Sequence, residues 1–480
     1  MLVSQISSPG DWVTNVDLEL QGSLPKPIWN KQSIYKISEG FGNPERKEAY
    51  KPKLVSFGPY HYGESQLKPV EDHKHRVLIH FLGRANKSAC DCVAAVEGVV
   101  QQLMDSYDQL AEEWRDRRRF LQLMIRDGCF MMEILRNVGK SESGYADDDP
   151  IFSNHAKICK LPRIKRDMLM IENQLPLLLL KTLLAFETGS PQDDESINDL
   201  IMKFFDSNWS TSEMGQRCHV LDVVRQSMLQ KSIREEKSTP LVQESNHQQS
   251  WCPLIFYQSI RPVTWMKQSI CQKILNLCRL VPRSKRGKQK VIWPTSQLHE
   301  AGIRFERSKT QCIDGIKFDK GFLCFPSTLI LPEIEVDDAT ESKFLNLLAF
   351  EQLHAGAGTE VSSYVSFMDD IIDTDSDVIL LQNKKIIMNF LGTEKAIADL
   401  FRGLAYDVPI DPDSSLGLVQ RDVNNYCIIN PRLRFNQSLA ELWKTYFRSP
   451  WTCISLLAAI FLLFVTATQT LFAVLDYYHH

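Results

Sequence analysis

The sequence has little net charge and lacks the short motifs that mark the common enzyme classes. Its 480 residues carry 55 lysines and arginines against 59 aspartates and glutamates, a net charge of -4, so no overall attraction draws it to nucleic acid. It contains no G-x-x-x-x-G-K-[ST] phosphate loop and no G-x-S-x-G turn, and His299-Glu300 lacks the second histidine of H-E-x-x-H. Gly40-Phe41-Gly42 begins like a dinucleotide-binding fingerprint, but Glu45 replaces the third glycine. These absences predict a protein that is not an enzyme, needs no cofactor and has no nucleic-acid partner.

A regular cysteine pattern and an N-terminal signal peptide are also missing. The 12 cysteines are irregularly spaced, which predicts reduced thiols on the cytosolic side of a membrane rather than a disulfide framework. Asp11, Asp17 and Glu19 interrupt the beginning of the chain, where a signal peptide would need an apolar core. We therefore expect residues 1–30 to be a flexible lead.

Long apolar runs are absent, with one exception near the C-terminus. No charged residue occurs from Ser449 to Leu475, and a helix over Trp451–Leu475 would rise about 37 Å, enough to cross a hydrocarbon core of about 30 Å. The alternative is a buried helix of a soluble core, but such helices are seldom so long without a charge. We predict a transmembrane helix at 447–475 and a short tail at 476–480. The anchoring side chains would be Trp451, Leu456, Phe461, Leu463, Phe464, Leu471 and Phe472.

The charges that flank this run predict its orientation. Arg432, Arg434, Lys444 and Arg448 precede the run and Asp476 follows it, and positive charge stays on the cytosolic side of membranes. We therefore expect a single-pass C-terminal anchor with the bulk of the chain in the cytosol. The length of the span favours the thicker plasma membrane.

Residues 31–446 are predicted to form one globular domain. Their patterning indicates the α+β class, mainly α-helical with a small antiparallel β element, and the transmembrane helix completes the fold. Apolar periodicity predicts helices over residues 71–136, with a break or cap at Asp127-Gly128. It also predicts a core helix over Met168–Leu184 that is kinked near Pro176.

Shorter signals predict strands, caps and loops in this domain. Tyr50–Gly63 is typical of a strand that enters a turn, and the alternation over residues 303–325 is typical of a hairpin or meander. Asp338, with Glu341 three residues later, predicts a helix N-terminus, and a second helix should begin near Thr393. Two polar, turn-rich stretches are predicted to be loops, at about 187–200 and 230–292.

The best candidate for a metal site is the D-x-D-x-D run Asp373–Asp377. Its spacing matches the start of a calcium loop, but Val378 replaces the required glycine and Lys384 replaces the closing glutamate. We therefore favour an acidic segment that caps a helix. A zinc site is the weaker interpretation of four clustered histidines, which more simply lie at the edge of the core: His61, His73, His75 and His80.

Three carboxylates lie in apolar surroundings and are candidate functional groups. Asp127, Glu172 and Glu351 each interrupt an apolar stretch or face, so each must be paired, hydrogen-bonded or shifted in pKa. A structural polar network in the core is the simpler interpretation. An acid–base pair is the functional alternative.

A basic run offers a candidate site for lipid contact. It is either a solvated loop or a surface for anionic headgroups, each basic residue contributing about 1 kcal/mol near a charged membrane. The residues are Arg279, Arg283, Lys285, Arg286, Lys288 and Lys290.

Several blocks make the chain similar to a plant family, the domain-of-unknown-function 247 family. They include AYKPKLVSFGPYHYG (Ala49–Gly63), RDGCFMMEIL (Arg126–Leu135), RDMLMIENQLPLLLL (Arg166–Leu180), HVLDVVR (His219–Arg225), LHEAGIRF (Leu298–Phe305), IKFDKGFLCFP (Ile316–Pro326), ESKFLNLLAFEQL (Glu341–Leu353), YVSFMDDIIDTDSDVILL (Tyr364–Leu381) and NFLGTEKAIADLF (Asn389–Phe401). The resemblance runs from about residue 30 to the end. It implies a plant membrane protein with one C-terminal span and without established catalytic residues. In grasses, members of this family are implicated as pollen-side determinants of self-incompatibility.

The sequence therefore favours a membrane-tethered protein–protein recognition or signalling module, including a role in self/non-self recognition in pollen. Its partners would be the lipid bilayer and a protein or peptide of unknown identity. A membrane-tethered enzyme of unknown reaction and a lipid-surface adaptor are the two alternatives.

Overall fold

The computed structural model describes residues 32–38, 40–137, 144–205, 214–229, 292–310, 312–321, 327–409, 411 and 413–429, with isolated positions between Ala458 and Thr470. Internal contacts divide the chain into one unit made of residues 1–232 and 292–480, and a second unit at 233–291. The second unit lies outside the described residues, and so do the predicted lead at 1–30 and the predicted tail at 476–480.

The described part of the chain up to Leu229 is mainly helical. It forms α1 (Lys68–Ala85), α2 (Ala89–Glu97), α3 (Val100–Asp105), α4 (Arg117–Asn137), α5 (Asn154–Cys159), α6 (Leu161–Asp167), α7 (Leu177–Thr188), α8 (Asp194–Phe204) and α9 (Val220–Leu229), with 3-10 turns at Pro44–Tyr50 and Glu112–Trp114. α4 is central: it packs against α1, α2, α7 and α8, and most of its side chains from Phe120 onward are buried. The helices predicted over residues 71–136 are confirmed.

The predicted break or cap at Asp127-Gly128 is wrong, because α4 continues through both residues. Gly128 instead allows α7 to approach α4 closely. A Cβ atom on Gly128 would lie 2.5 Å from Leu183 Cδ1 and 3.1 Å from Leu179 Cδ2, closer than packed atoms tolerate. The glycine is therefore a packing residue rather than a helix stop.

The predictions around α7 and α8 need two corrections. Pro176 does not kink a helix: α7 begins at the next residue, so the missing proline N–H costs no helical hydrogen bond. The predicted loop at 187–200 is helical from Asp194 onward, because Asp193 Oδ1 accepts a hydrogen bond of 2.8 Å from Ser196 N and caps α8.

The second half of the described chain combines helices with short strands. Its elements are α10 (Thr295–Glu300), β1 (Arg304–Arg307), a 3-10 turn (Ile313–Gly315), β2 (Lys317–Asp319), β3 (Thr328–Leu331), β4 (Ile334–Val336), α11 (Thr340–Leu353), α12 (Glu360–Ile371), α13 (Asp375–Asn383), β5 (Ile387–Asn389), α14 (Glu394–Leu404) and α15 (Ser415–Ile429). β3 lies between β1 and β2, and β4 pairs with β5. The β2–β3 pair is antiparallel, but β1–β3 and β4–β5 are parallel, so the prediction of an antiparallel β element is only partly right. The parallel pairs join strands that are distant in sequence, which local alternation does not reveal.

The two predicted helix N-termini differ in how they are capped. α14 begins next to Thr393, as predicted, and Thr393 Oγ1 accepts a hydrogen bond of 3.3 Å from Ala396 N. Asp338 does not cap α11. The preceding residue, Asp337, accepts from Ala339 N at 3.1 Å and from the Thr340 hydroxyl at 2.7 Å.

One buried amide, Asn346 in α11, links this half of the chain to the first. Its Oδ1 accepts a hydrogen bond of 2.9 Å from Ile171 N, and its Nδ2 donates to Ala49 O at 3.2 Å. Ser342 Oγ donates to the same Ala49 carbonyl at 2.6 Å. α11 also packs against the turn at Pro44–Tyr50. Contacts between segments far apart in sequence thus hold the two halves of the described chain together.

No helix within the described ranges is both long and apolar enough to cross a membrane. The predicted span falls mostly outside those ranges, and its described positions, all helical, are Ala458, 461–463, 465–466 and 468–470. The structure therefore does not support the span at 447–475, which stays a prediction. The predicted anchors Trp451, Leu456, Phe464, Leu471 and Phe472 lie outside the described residues, as do the basic run Arg279–Lys290 and the predicted loop from residue 230 to residue 291.

Candidate functional site

The segment predicted as a strand within Tyr50–Gly63 pairs with no described strand. Side chains bind its backbone instead. Asp167, at the end of α6, accepts hydrogen bonds from Lys53 N at 3.1 Å, Leu54 N at 2.7 Å and Val55 N at 3.0 Å. Burial raises the pKa of Asp167, and these three donors oppose that shift. The strand prediction is wrong because side chains satisfy the donors that a neighbouring strand would have bound.

Asp127, the first of the three candidate carboxylates, is fully buried beside Lys74 of α1. Lys74 Nζ donates to Asp127 Oδ1 at 2.8 Å and to Ser56 O at 2.7 Å, and Asp127 Oδ2 accepts from Gly58 N at 2.9 Å. Burial raises the pKa of Asp127 to about 6, although the Lys74 ammonium acts in the opposite direction. The pair fixes the loop at 56–58 to the two central helices.

Glu172, the second candidate, contacts a buried histidine and the N-terminal segment. Its Oε1 accepts from Ile37 N, and its Oε2 lies 3.0 Å from His61 Nε2. His61 Nδ1 lies 2.7 Å from Glu64 Oε1. Burial alone would lower the pKa of His61, but the contacts with the Glu172 and Glu64 carboxylates outweigh it and raise that pKa. Glu172 and His61 thus join three stretches of chain.

The two residues after Glu172 bind further segments. Asn173 Oδ1 accepts from Phe57 N at 2.7 Å, and its Nδ2 donates to Val55 O at 3.0 Å. Gln174 Nε2 donates to Met168 O at 2.7 Å, and its Oε1 accepts from Leu221 N at 3.2 Å. The side chains of Glu172, Asn173 and Gln174 therefore all bind other segments of the fold.

Glu351, the third candidate, forms a different cluster with Arg225 of α9. Arg225 donates to Glu351 Oε1 from Nε at 2.9 Å and from Nη2 at 2.6 Å. Glu351 also accepts from Val361 N at 3.0 Å and from Ser362 N at 2.8 Å, at the start of α12. Glu360 forms a further ion pair with Arg225 at the surface. The structure thus brings Asp127 and Glu172 to one backbone segment and places Glu351 in a cluster of its own.

A polar cleft of about 490 Å³ opens beside this cluster, and sequence reasoning missed it. It is lined by Cys218, Asp222, Arg225, His354 and Glu360, among others. Burial and the Asp222 carboxylate raise the pKa of the Cys218 thiol to about 11, and burial lowers the pKa of His354. A thiol with a raised pKa is mostly protonated at neutral pH and is a weak nucleophile. The only sequence signal for this cleft was the block His219–Arg225, and its partners Glu351 and His354 lie more than a hundred residues away.

The predicted metal motifs have structural roles in the described residues. Asp377 is buried and forms a capping box with Thr374 at the start of α13, which confirms the helix-capping interpretation of Asp373–Asp377. Its Oδ1 also accepts from Ser296 N at 2.7 Å. Among the described residues, no group of three or more histidines, cysteines or carboxylates is placed to hold a metal ion.

The clustered histidines have separate surroundings. His80 stacks on Tyr145, with ring centroids 4.0 Å apart, and its Nδ1 lies 3.3 Å from Glu133. His73 accepts a hydrogen bond of 3.2 Å from Arg76 Nε, and His75 is exposed. These contacts are typical of core-edge histidines.

The comparison with known proteins extends over nearly the whole chain. Residues 34–465 match the family described as "DUF247: Plant protein of unknown function". The chain belongs to the DUF247 family. UPF0481 protein At3g47200 of Arabidopsis thaliana is 30% identical over 462 residues, which cover 92% of this chain and 86% of that protein. Putative UPF0481 protein At3g02645 of the same plant is 22% identical over 524 residues, covering 95% and 93% of the two chains. No solved structure matches the chain.

In this DUF247 protein, several of the blocks that carried the resemblance meet in space. The blocks containing Asp127 and Asn173 bind the backbone of the block containing Gly58. The blocks containing Arg225 and Glu351 meet in the second cluster, where His219 also packs against Phe350 with ring centroids 4.8 Å apart. Five of the blocks therefore contribute to the buried polar framework of the fold.

Proposed function

We propose that this DUF247 protein is a membrane-tethered module for protein–protein recognition or signalling. The body faces the cytosol, the plasma membrane is its location, and self/non-self recognition in pollen is the setting that the family resemblance implies. One observation supports attachment to a membrane, and two others favour a recognition role over a catalytic one.

The carrying observation is a run of exposed apolar side chains in the uncharged stretch from Ser449 to Leu475. Phe461, Leu462 and Leu463 are helical and are 66%, 64% and 72% exposed. Burying such a side chain stabilises it by about 1.5–3 kcal/mol relative to water. Three consecutive exposed apolar side chains are more stable in apolar surroundings than in water. The core of the protein does not cover them, whereas a lipid bilayer would.

The candidate catalytic groups are engaged in holding the fold. Asp127 is paired with Lys74, Glu172 contacts His61, and Glu351 is paired with Arg225. Removing one partner of such a buried pair destabilises a protein by about 3–5 kcal/mol. Groups with these tasks are poorly suited to exchange protons with a substrate, which argues against the enzyme alternative.

The surface of the body carries large apolar side chains that a partner could cover. Phe390 after β5 is 62% exposed, Tyr406 after α14 is 56% exposed and Leu418 in α15 is 54% exposed. Aromatic side chains are enriched in the buried parts of protein–protein interfaces. These residues support a protein partner.

The tether is tested by two charges in the apolar run. Leu462→Arg with Leu463→Arg should move the full chain from the carbonate-resistant membrane fraction to the soluble fraction, because each arginine at a helix centre opposes insertion by about 2.5–3.5 kcal/mol. Ile379→Arg with Leu418→Arg adds the same charge at exposed apolar positions of the body and should leave the chain in the membrane. If the first variant stays in the membrane fraction, or the unaltered chain is soluble without detergent, the proposal fails.

A further inference from the structure

A second cavity, of about 640 Å³, opens between the first helical part and the β4–α11 region. Its lining includes Leu169, Met228, Ile313 and Phe344, so much of its wall is apolar. The volume falls within the range of cavities that hold drug-sized molecules, about 300–1,000 Å³. Neither the membrane tether nor the buried polar clusters use this cavity.

Tyr364 of α12 presents an unpaired polar group here. Its side chain lines the cavity, is 2% exposed and stacks on Phe344 with ring centroids 6.0 Å apart. The hydroxyl has no hydrogen-bond partner among the described residues. A buried tyrosine hydroxyl normally has a partner. The hydroxyl is therefore available to bind a polar group of a ligand in the cavity.

Lys343 of α11 supplies an ammonium without a direct ion pair in the same cavity. It is partly buried, and its ammonium makes no hydrogen bond or ion pair with any residue that the structure describes. Burial lowers its pKa, against the opposing effect of Asp337 and Glu335. A partly buried ammonium that has no direct counterion favours an anionic ligand.

Two of the acidic residues that line the cavity already form an ion pair or hydrogen bonds with other groups of the protein. Glu333 is paired with Arg307 at 2.9 Å, and Asp337 accepts hydrogen bonds from Ala339 N and the Thr340 hydroxyl. Arg166, which also lines the cavity, is held by Asp167 at 3.1 Å. Glu335, the third acidic residue of the lining, is exposed. The cavity therefore offers an apolar wall and an ammonium that has no direct ion pair.

We propose that this cavity binds a small amphipathic carboxylate. Its apolar body lies against Leu169, Met228 and Phe344, and its carboxylate binds the Lys343 ammonium and the Tyr364 hydroxyl. The site goes beyond the proposed tether and recognition role and does not depend on it.

The proposal is tested with the full-length protein in detergent and two matched probes, 2-naphthoate and its neutral isostere 2-naphthamide. Calorimetric titration should give saturable binding of 2-naphthoate with a Kd on the order of 1 mM, the value expected for about 13 non-hydrogen atoms. The amide should bind about tenfold more weakly, because it lacks the charge that Lys343 pairs with.

Three variants assign the contacts. Lys343→Met should weaken binding of 2-naphthoate about tenfold and leave binding of 2-naphthamide unchanged. Tyr364→Phe should weaken binding of 2-naphthoate about threefold to tenfold. The control Lys317→Met, at an exposed lysine on β2, should leave binding of both probes unchanged. Melting temperatures near that of the unaltered protein show that the variants are folded. Equal 2-naphthoate affinity in the Lys343→Met variant, or the absence of saturable 2-naphthoate binding, would overturn the proposal.

Discussion

His61 is held between two carboxylates in a nearly buried position. Glu64 lies on its Nδ1 side at 2.7 Å and Glu172 on its Nε2 side at 3.0 Å. Because both carboxylates favour the charged imidazolium, the pKa of His61 is raised in the folded protein despite burial. The folded state therefore binds this proton more tightly than the unfolded chain does.

This tighter binding predicts how stability depends on pH. The contribution of His61 is complete below its unfolded pKa of about 6.5 and is lost as the pH rises through the higher folded pKa. The free energy of unfolding, measured with urea from pH 6.5 upward to about 9, should fall more steeply in the natural sequence than in His61→Gln. His75→Gln, at an exposed histidine, should keep the natural slope. Parallel slopes for the natural sequence and His61→Gln would contradict the prediction.

The contact between α4 and α7 depends on the absence of one side chain. The atoms nearest to a Cβ on Gly128 belong to Leu183 and Leu179, which are both fully buried. A methyl group there must displace α7 or force these leucines from their rotamers.

Gly128→Ala should therefore lower the free energy of unfolding by about 1–3 kcal/mol. Gly83→Ala is the matched control, because Gly83 is an exposed glycine of α1 with no atom within 4 Å of a Cβ built on it. In the control, better helix propensity should stabilise the protein by up to about 1 kcal/mol. Chemical unfolding of the two variants measures the difference, and equal effects would rule out close packing at Gly128.

Local patterns predicted the elements whose causes are local. The helices within 71–136, the helix start near Thr393 and the capping role of Asp373–Asp377 depend on residues a few positions apart. The strand at Tyr50–Gly63 and the break at Asp127-Gly128 were predicted wrongly, because partners more than fifty residues away decide both. For the same reason, apolar context indicated that Glu172 and Glu351 are buried but did not reveal His61 or Arg225 as partners.

At the scale of the whole molecule, the sequence indicated the mainly helical fold and the family. It did not indicate the parallel pairing of β1 with β3 or of β4 with β5, which joins strands that are not neighbours in sequence. The polar cleft beside Arg225 and the cavity at Lys343 were also missed, since each gathers residues from several distant elements.

The proposed tether also predicts the behaviour of a shortened chain. A chain ending at Arg448 should be soluble without detergent and melt within a few degrees of the full-length protein, because the described side chains at 461–463 are exposed rather than packed in the core. Differential scanning fluorimetry of both chains in the same detergent measures this. A large drop in melting temperature would show that the removed residues stabilise the fold.

The position of Asn346 has a consequence for protein synthesis. Its amide binds Ala49, 297 positions earlier in the chain, and Ile171, 175 positions earlier. At a translation rate of roughly 5–20 residues per second, the ribosome needs about 15–60 s to progress from the first of these positions to Asn346. During that interval the nascent chain exposes backbone groups and apolar surface that are covered later, so chaperones that bind emerging polypeptides should have time to act on it.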